Sequence, residues 1–376
     1  MPDGERLFCS KPFEWFEVTQ LNGRGGVYLC CPSWLDTSIG NLRHESVAAI
    51  WNSPAAQELR SSVLDGSFRY CNGVRCPYLQ TRSGPVKPVD EVTDEGLKAV
   101  IQHGLTVLPY GPKKIICTYD QSCNLSCPSC RTKLIVEREH AQEILSIQHK
   151  LQDEALPEAE FLLAAGSGDP FGSPYFRRWL QGMRLQDMPK LQRIHLHTNG
   201  QLWTPKMWGS LAEDVRRLIK SAEISIDAGT AETYAVNRRG GDFGKLLKNL
   251  EFISRLRQEG PLTFVKISMV VQANNFEEMP AFVRLGQRFK FDQVYFSQLV
   301  NWGTFSDQEF ARRAVHVPAH PLHQRFVAVL QNEILDDRIV DLGNLTLTRR
   351  PVGTPRGRKL GRLPLRIWKK CRALLD

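Results

Sequence analysis

The run KIICTYDQSCNLSCPSC, residues 114–130, decides how this chain is interpreted. Its first part, Lys114–Tyr119, has the apolar and β-branched composition of a buried strand. Cys123, Cys127 and Cys130 follow directly, on the loop that leads from this strand to a predicted helix. Three thiolates at these spacings can converge on an iron–sulfur cubane, and three protein ligands leave the fourth iron of such a cluster open for chemistry.

The alternation of strand and helix continues to about residue 300. Six β/α units joined by short links predict a parallel sheet with helices outside it, either an open doubly wound sheet or a partial barrel. In both folds the ligand lies at the carboxyl ends of the strands. The further predicted strands are Glu160–Ala165, Arg193–His197, Ser221–Ile226, Thr263–Val271 and Gln293–Gln298, and the predicted helices lie near 134–153, 174–185, 206–219, 243–258 and 276–289.

The composition is that of a globular protein. The 376 residues are 42% hydrophobic and 24% charged, and they allow a large domain with a small one beside it. No apolar run has the length of a membrane span, and the polar N-terminus does not resemble a signal peptide. We therefore expect a cytoplasmic protein.

The net charge of +9 is concentrated at the C-terminus. Ten arginines and lysines lie between Arg349 and Arg372, so the rest of the chain is close to neutral. Within this basic tail, residues 346–376, the stretch Leu360–Leu375 has helical apolar spacing. It predicts either an amphipathic helix that docks on an anionic membrane surface or an acidic protein, or a solvated terminus. Charge alone does not indicate specific nucleic-acid binding.

The ten cysteines predict two metal sites. Clustered thiols in a reducing compartment bind metal or do redox chemistry more often than they form disulfides. Besides the group at 123–130, five cysteines lie in the first fifth of the chain and can enclose a second cluster. Zinc is the alternative at both sites. The five N-terminal cysteines are Cys9, Cys30, Cys31, Cys71 and Cys76, whereas Cys117 is interpreted as a buried strand thiol and Cys371 as a tail residue without a metal role.

Residues 1–80 predict a small α+β module. A hairpin is indicated by 13–18 and 27–29 around the glycine-rich turn Asn22–Gly26, and helical spacing follows at 46–51 and 57–60. Such a module is too short to build a large core, and a metal would compensate. Residues 81–112 are rich in proline and predict a linker with one short helix.

Polar groups follow four of the later strands, at the edge where the ligand is expected. They are Gly166, Ser167, Gly168 and Asp169 after the second strand, Thr198 and Asn199 after the third, Ser225 and Asp227 with Arg238 after the fourth, and Gln272 and Asn274 after the fifth.

With the Cx3Cx2C loop, this series resembles the radical S-adenosylmethionine (SAM) superfamily. The resemblance implies a partial (β/α)6 barrel over residues 113–300. It also implies that Cys123, Cys127 and Cys130 hold a [4Fe–4S] cluster whose open iron is chelated by the methionine part of SAM. The reduced cluster would cleave SAM to a 5′-deoxyadenosyl radical that abstracts hydrogen from a substrate.

The same resemblance implies cofactor contacts. The loop at 166–169 would receive the methionine ammonium, although Asp169 stands where many members have glutamate. Thr198 and Asn199 would lie near the ribose. The remaining implied contacts are Ser225 and Asp227 as polar groups, Arg238 as a carboxylate partner, and Gln272 and Asn274 near adenine or ribose.

The N-terminal module resembles auxiliary-cluster domains of the twitch or SPASM type. The resemblance rests on Gly25–Cys30, Ile39–Leu42, Ile50–Asn52 and the closing pair Cys71 and Cys76. It implies an auxiliary [4Fe–4S] cluster held by four cysteines, with Cys30 favoured over Cys31 by its spacing from the glycines. The module precedes the barrel, whereas in the usual arrangement it follows it.

The expected function is radical chemistry on an unidentified substrate, a peptide, a sugar or a small metabolite. An external donor of the flavodoxin or ferredoxin type would supply the electron. We expect substrate near Phe296–Phe305. His316, His320 and His323 in the extension 301–345 are either solvated loop residues or part of a lid or substrate contact. The alternatives are a non-catalytic electron-transfer protein and a zinc-stabilised binding module.

Overall fold

The computed structural model describes residues 6–349 and contains a large sheet and a small one. The strands are β1 Leu7–Cys9, β2 Trp15–Thr19, β3 Gly26–Tyr28, β4 Gly40–Asn41, β5 Val86–Pro88, β6 Lys114–Thr118, β7 Phe161–Ala164, β8 Arg193–Thr198, β9 Ile219–Ser225, β10 Phe264–Val271, β11 Gln293–Gln298 and β12 Val340–Asp341. The tail 350–376 and Cys371 lie outside the described residues.

Most of the helices come after β6 in the chain, alternating with the later strands. They are α1 Val47–Trp51, α2 Pro54–Leu64, α3 Pro77–Thr81, α4 Glu95–His103, α5 Ala141–Lys150, α6 Pro174–Gly182, α7 Pro205–Ser210, α8 Glu213–Leu218, α9 Ala231–Asn237, α10 Phe243–Glu259, α11 Met279–Arg288, α12 Asp307–Arg313, α13 His323–Leu330 and α14 Thr346–Arg349. Among the described residues no helix has the length and apolar character needed to cross a membrane.

Strands β6 to β12 lie side by side in chain order, and every neighbouring pair is parallel. The six predicted strands are confirmed, and the α/β fold class with its large parallel sheet is confirmed with them. Two predicted helices differ in extent. The first begins only at Ala141, and the helix expected near 206–219 is two helices, because Leu211 and Ala212 are extended.

The N-terminal hairpin continues the same sheet. Strands β2 and β3 are antiparallel, as predicted, and β2 also pairs in parallel with β6. Phe16 and Val18 of β2 are fully buried in one hydrophobic core with Ile115 and Cys117 of β6. The cysteine-rich module is therefore built onto the edge of the barrel sheet. The predicted linker contains its one helix, α4, and also β5, which pairs with β1.

The two faces of the barrel sheet differ in polarity. Ile267 and Val294 face α11, where a side chain at Gly286 would meet both of them. Their neighbours in sequence, Lys266 and Tyr295, point to the opposite face, because side chains alternate along a strand. That face carries histidine, serine, glutamate and lysine side chains on β8, β9 and β10, so the sheet has a polar side away from its helices.

Candidate functional site

The three barrel cysteines lie on the loop after β6. Cys123 and Cys127 are buried, and Cys130 is exposed. The backbone N–H of Cys123 donates to the carbonyl of Ile135 over 2.9 Å, and that of Cys130 donates to the carbonyl of Cys127 over 3.0 Å. These bonds fold the loop back on itself and leave the thiol of Cys130 exposed.

Each of the three sulfurs has a nitrogen donor from a different segment. Asn199 Nδ2 lies 3.6 Å from Cys123 Sγ, and Arg238 Nη1 lies 3.7 Å from Cys127 Sγ. Arg131 Nη2 lies 3.3 Å from Cys130 Sγ. Hydrogen bonds to ligand sulfurs are one of the means by which a protein tunes a cluster. The donor chemistry therefore fits an iron–sulfur cluster.

Arg131 was not among the predicted site residues. It is buried, at 6% exposure, and donates to the carbonyls of Gln121 over 2.5 Å and Ser167 over 2.8 Å. One side chain thus joins the cysteine loop to the glycine-rich loop after β7. An arginine directly after the third cysteine is the only sequence signal that points to it.

The glycines of the loop after β7 are required by a close contact between two backbones. A Cβ atom at Gly168 would lie 2.5 Å from the carbonyl oxygen of Ser122 and 2.7 Å from that of Asp120. A Cβ atom at Gly166 would overlap the side chain of Thr118. The hydroxyl of Ser167 donates to the Thr118 carbonyl over 2.7 Å. The loop is therefore pressed against the segment that leads into the cysteines.

Asp169 is fully buried, and its carboxylate is fully engaged within the protein. It accepts hydrogen bonds from the N–H groups of Phe171 at 3.0 Å and Gly172 at 2.8 Å. It also accepts from Thr198 Oγ1 at 2.7 Å and Asn199 N at 2.9 Å. The side chain therefore links the loops after β7 and β8, and contact with the methionine ammonium stays a prediction for this loop.

Arg238 connects the cysteine loop to the end of β9. Its Nη2 lies 2.8 Å from Asp227 Oδ2, and Asp227 Oδ1 accepts from Val270 N over 2.7 Å. Burial raises the pKa of the Asp227 carboxyl, an effect that Arg238 opposes. Arg238 Nε is buried without a hydrogen-bond partner in the described chain. One buried N–H donor of Arg238 is thus unsatisfied, which fits the binding of an anionic ligand beside Cys127.

The other predicted cofactor residues contact groups outside the cysteine loop. Ser225 Oγ lies 3.0 Å from His197 Nε2. Gln272 is buried and accepts from Arg313 over 3.4 Å, and Asn274 Nδ2 donates to Asn237 Oδ1 over 2.8 Å. Their roles toward SAM stay predictions.

A polar belt that the sequence did not predict crosses the face of the sheet opposite the helices. Glu223 and Lys266 form an ion pair at 2.5 Å, and His195 Nδ1 lies 2.8 Å from Ser221 Oγ. Burial opposes the Glu223 charge, but Lys266 holds the pKa of this carboxyl below its usual range. Burial lowers the pKa of His195 to about 3, so the imidazole is neutral at physiological pH.

The N-terminal cysteines meet at a second place. Cys9, Cys30, Cys71 and Cys76 line one cavity, together with Lys11, Pro12, Trp34, Leu35, Val63, Phe68, Tyr78, Leu79 and Val86. Trp34 Nε1 donates to Cys30 Sγ over 3.1 Å. The Sγ of Cys31 instead donates to Ser33 Oγ over 3.5 Å, and Cys31 is not among the lining residues. The geometry thus places Cys30, and not Cys31, with the other three thiols.

Burial weakens the acidity of three of these thiols. It raises the pKa of Cys71 to about 12, and it also raises the pKa of Cys9 and of Cys76. A cation that ionises them would therefore have to supply the free energy of deprotonation. Among residues 6–349, no three His, Cys, Asp or Glu side chains are grouped closely enough to hold a single metal ion directly.

The segment expected to contact substrate carries an exposed aromatic side chain. Trp302 is 62% exposed on the loop that follows β11. Two of the three histidines beyond it bond to nearby backbone. His320 Nε2 lies 2.9 Å from the carbonyl oxygen of Arg312, and His323 Nδ1 lies 3.0 Å from that of Val315. Both contacts lie within the extension 301–345, and the role of these histidines stays a prediction.

Comparison with known proteins agrees with the N-terminal cysteine group. Residues 9–77 match the SPASM family, described as an iron–sulfur cluster-binding domain. The GTP 3′,8-cyclase of Alkaliphilus metalliredigens (strain QYMF) is 28% identical over 173 residues, which are 43% of this chain and 49% of that protein. The chain thus spans about half the length of this curated relative.

Solved structures show partial likeness in fold. Streptococcus suis SuiB bound to S-adenosylmethionine is 15% identical, with a TM-score of 0.37, over 55% of this chain and 44% of that chain. Native anSMEcpe with bound AdoMet is 18% identical, with a TM-score of 0.36, over 50% of this chain and 51% of that chain. Likeness of this extent does not decide function.

The motif, the domain match and the sequence relative agree with one another. [4Fe–4S] clusters and S-adenosylmethionine are the cofactors that they indicate. Residues 9–77 thus match the SPASM family of iron–sulfur cluster-binding domains, and the chain as a whole resembles radical SAM enzymes.

Proposed function

We propose that this protein is a radical SAM enzyme whose reactive cluster is held by Cys123, Cys127 and Cys130. The observation that carries the proposal is the convergence on these three sulfurs of one side-chain nitrogen donor each, from Asn199, Arg238 and Arg131. A bound cluster with SAM would supply reductive cleavage of the sulfonium C–S bond and hydrogen abstraction from a substrate.

The surrounding side chains position the cysteine loop and place positive charge beside it. Arg131 fixes the cysteine loop against the glycine-rich loop through two backbone carbonyls. Asp169 orients Asn199 through the backbone N–H of that residue. Arg238 holds a positive charge next to Cys127, and Asp227 fixes its orientation. These contacts pre-arrange donors around an anionic centre and so reduce the reorganisation needed when it binds.

The four-cysteine cavity of the N-terminal module is proposed to hold an auxiliary [4Fe–4S] cluster. Cys9, Cys30, Cys71 and Cys76 would be its ligands, because these four line the same cavity. Four protein ligands close such a cluster, which suits electron relay or substrate anchoring more than bond cleavage.

The remaining expectations are proposals that accompany this function. They are a substrate of the peptide, sugar or small-metabolite class near Phe296–Phe305, an electron donor of flavodoxin or ferredoxin type, a cytoplasmic location, and docking through the basic tail. The proposed division is 1–80 for the auxiliary domain, 81–112 for the linker, 113–300 for the barrel, 301–345 for the helical extension and 346–376 for the tail. A non-catalytic electron-transfer protein and a zinc module remain the rivals.

Cleavage of SAM tests the proposal. Anaerobically reconstituted protein with dithionite and SAM should form 5′-deoxyadenosine, and Cys127→Ala should abolish it. Cys117→Ala is the matched control, because Cys117 is a buried thiol on β6 in the hydrophobic core. Cleavage that survives in Cys127→Ala would refute the assignment. Iron without cleavage would support electron transfer, and zinc without iron would support the binding module.

Iron content tests the second site. Cys71→Ala should lose the iron of one cluster, whereas Cys31→Ala should keep it, since Cys31 does not line the cavity. Equal iron in both variants would contradict the proposed ligand set.

A further inference from the structure

Lys11 is an unusually placed lysine. It is buried, at 6% exposure, two residues after Cys9 and at the start of the 3-10 turn Lys11–Phe13. It lines the cavity formed by the four cysteines of the auxiliary site. Lysines are seldom buried unless they are paired with an opposite charge, so this position needs an explanation.

The surroundings of the Lys11 ammonium are aromatic. Its Nζ lies 3.9 Å from the centre of the Trp15 ring and 4.8 Å from the centre of the Tyr78 ring. Within the described part of the chain, the ion pairs formed at 4.0 Å or less do not include Lys11. Cation–π contacts stabilise an ammonium, but they do not neutralise its charge.

Buried Glu17 acts on Lys11 electrostatically, but the two side chains form no ion pair at 4.0 Å or less. A cluster in this cavity would provide a further negative charge. Four thiolate ligands give a [4Fe–4S] cluster a net negative charge, and that charge grows on reduction. The net charge of a cluster and its surroundings is one of the factors that set its reduction potential. A fixed ammonium in the wall of the cavity would stabilise the reduced state more than the oxidised state.

We propose that Lys11 is the counter-ion of the auxiliary cluster and raises its reduction potential. The inference rests on the proposed function, in which this cavity holds a cluster. It assigns Lys11 an electrostatic role rather than a place among the iron ligands. The aromatic rings of Trp15 and Tyr78 hold the ammonium in position, and Lys11 and Tyr78 both line the cavity of the four cysteines.

The alternative is that only the aliphatic stem of Lys11 matters, as packing against the two rings. Two substitutions separate these readings. Lys11→Met keeps an unbranched apolar stem and removes the charge. Lys11→Arg keeps the charge and changes the shape of the head group.

The test is a redox titration followed by electron paramagnetic resonance. It uses the full chain with Cys123, Cys127 and Cys130 all replaced by alanine, so that the auxiliary cluster is observed alone. In this background Lys11→Met should move the midpoint to a more negative potential. The expected size is at least a tenfold change in the ratio of reduced to oxidised cluster, about 59 mV for a one-electron couple.

Two controls accompany this measurement. Lys11→Arg should keep most of the original potential. Lys190→Met should leave it unchanged, because Lys190 is exposed and paired with Glu158.

Each outcome has one meaning. An unchanged midpoint in Lys11→Met with full iron content overturns the proposal. Loss of the cluster in Lys11→Met but not in Lys11→Arg supports a need for the charge, whereas loss in both shows a need for shape and overturns it. If the background with native Lys11 binds no cluster at all, the proposed auxiliary site fails instead.

Discussion

Thr198 donates a 2.7 Å hydrogen bond to the carboxylate of Asp169, so the loops after β7 and β8 share one buried acceptor. The same carboxylate accepts from the backbone N–H of Asn199. Asn199 in turn places its side-chain nitrogen 3.6 Å from Cys123 Sγ. Asp169 therefore acts on the first cysteine through another residue.

Replacing Asp169 should loosen this connection. Asp169→Asn keeps the size of the side chain but replaces one carboxylate oxygen with an NH2 group. This group cannot accept the hydrogen bonds that the oxygen accepts. We expect a loss of about 1–3 kcal/mol in the free energy of unfolding, the usual effect of leaving a buried polar group unsatisfied. Urea unfolding followed by circular dichroism measures it. Asp90→Asn, at an exposed position, should change little, and equal stability of both variants would contradict the role of Asp169.

The glycine-rich loop offers a second matched pair. Gly168→Ala should lower both stability and iron content at the first site, because the new Cβ would lie 2.5 Å from the carbonyl oxygen of Ser122. Gly209→Ala is the control, since nothing lies within 4 Å of a Cβ atom there in α7. It should be neutral or stabilise the protein by up to about 1 kcal/mol. Iron assays and thermal unfolding would show whether the two variants differ.

Removal of Arg238 should leave Asp227 buried without its cation. Breaking such a pair typically costs about 3–5 kcal/mol, so Arg238→Met should be clearly less stable than the parent. The double variant Arg238→Met with Asp227→Asn should recover part of this loss, because no charge is then left unpaired. A complete double-mutant cycle by chemical denaturation measures the coupling. Additive effects would show that the pair is not coupled.

The free energy of unfolding should decrease as the pH falls, because His195 in the polar belt resists protonation in the folded protein. The pKa of His195 is lowered to about 3, against about 6.5 in an unfolded chain. Between these values the unfolded chain binds more protons, so the free energy of unfolding decreases as the pH falls. One such histidine contributes at most about 1.36 kcal/mol per pH unit. The effect begins near pH 6.5, the pKa of histidine in an unfolded chain. Carboxylates such as Glu223 are protonated only at lower pH, even in the unfolded chain.

His195→Asn isolates this contribution. Asparagine can still bond to Ser221, which lies 2.8 Å from His195 Nδ1, but it does not titrate. The slope of unfolding free energy against pH between about 5 and 6.5 should therefore be flatter in the variant. Parallel curves for parent and variant would show that His195 is equally protonated in both states.

Local patterns predicted the strands well but not all of their neighbours. The six barrel strands appear where their apolar runs are, because each run must be buried against helices. The parallel pairing of β2 with β6 was not predicted, since it joins residues about a hundred positions apart and has no local signal. The same holds for Arg131, whose partners Gln121 and Ser167 lie on two different loops.

The sequence by itself determined the alternation of strand and helix, the two cysteine groups and the resemblance to radical SAM enzymes. These depend on spacing along the chain, which sets both the period of burial and the reach of neighbouring thiols. Only the tertiary structure placed Cys30, and not Cys31, in the wall of the cysteine cavity, and it placed Lys11 there as well. It also showed the partners of Asp169 and Arg238. Adjacent residues in a chain can point in opposite directions, and the packing of distant segments determines which of them faces a site.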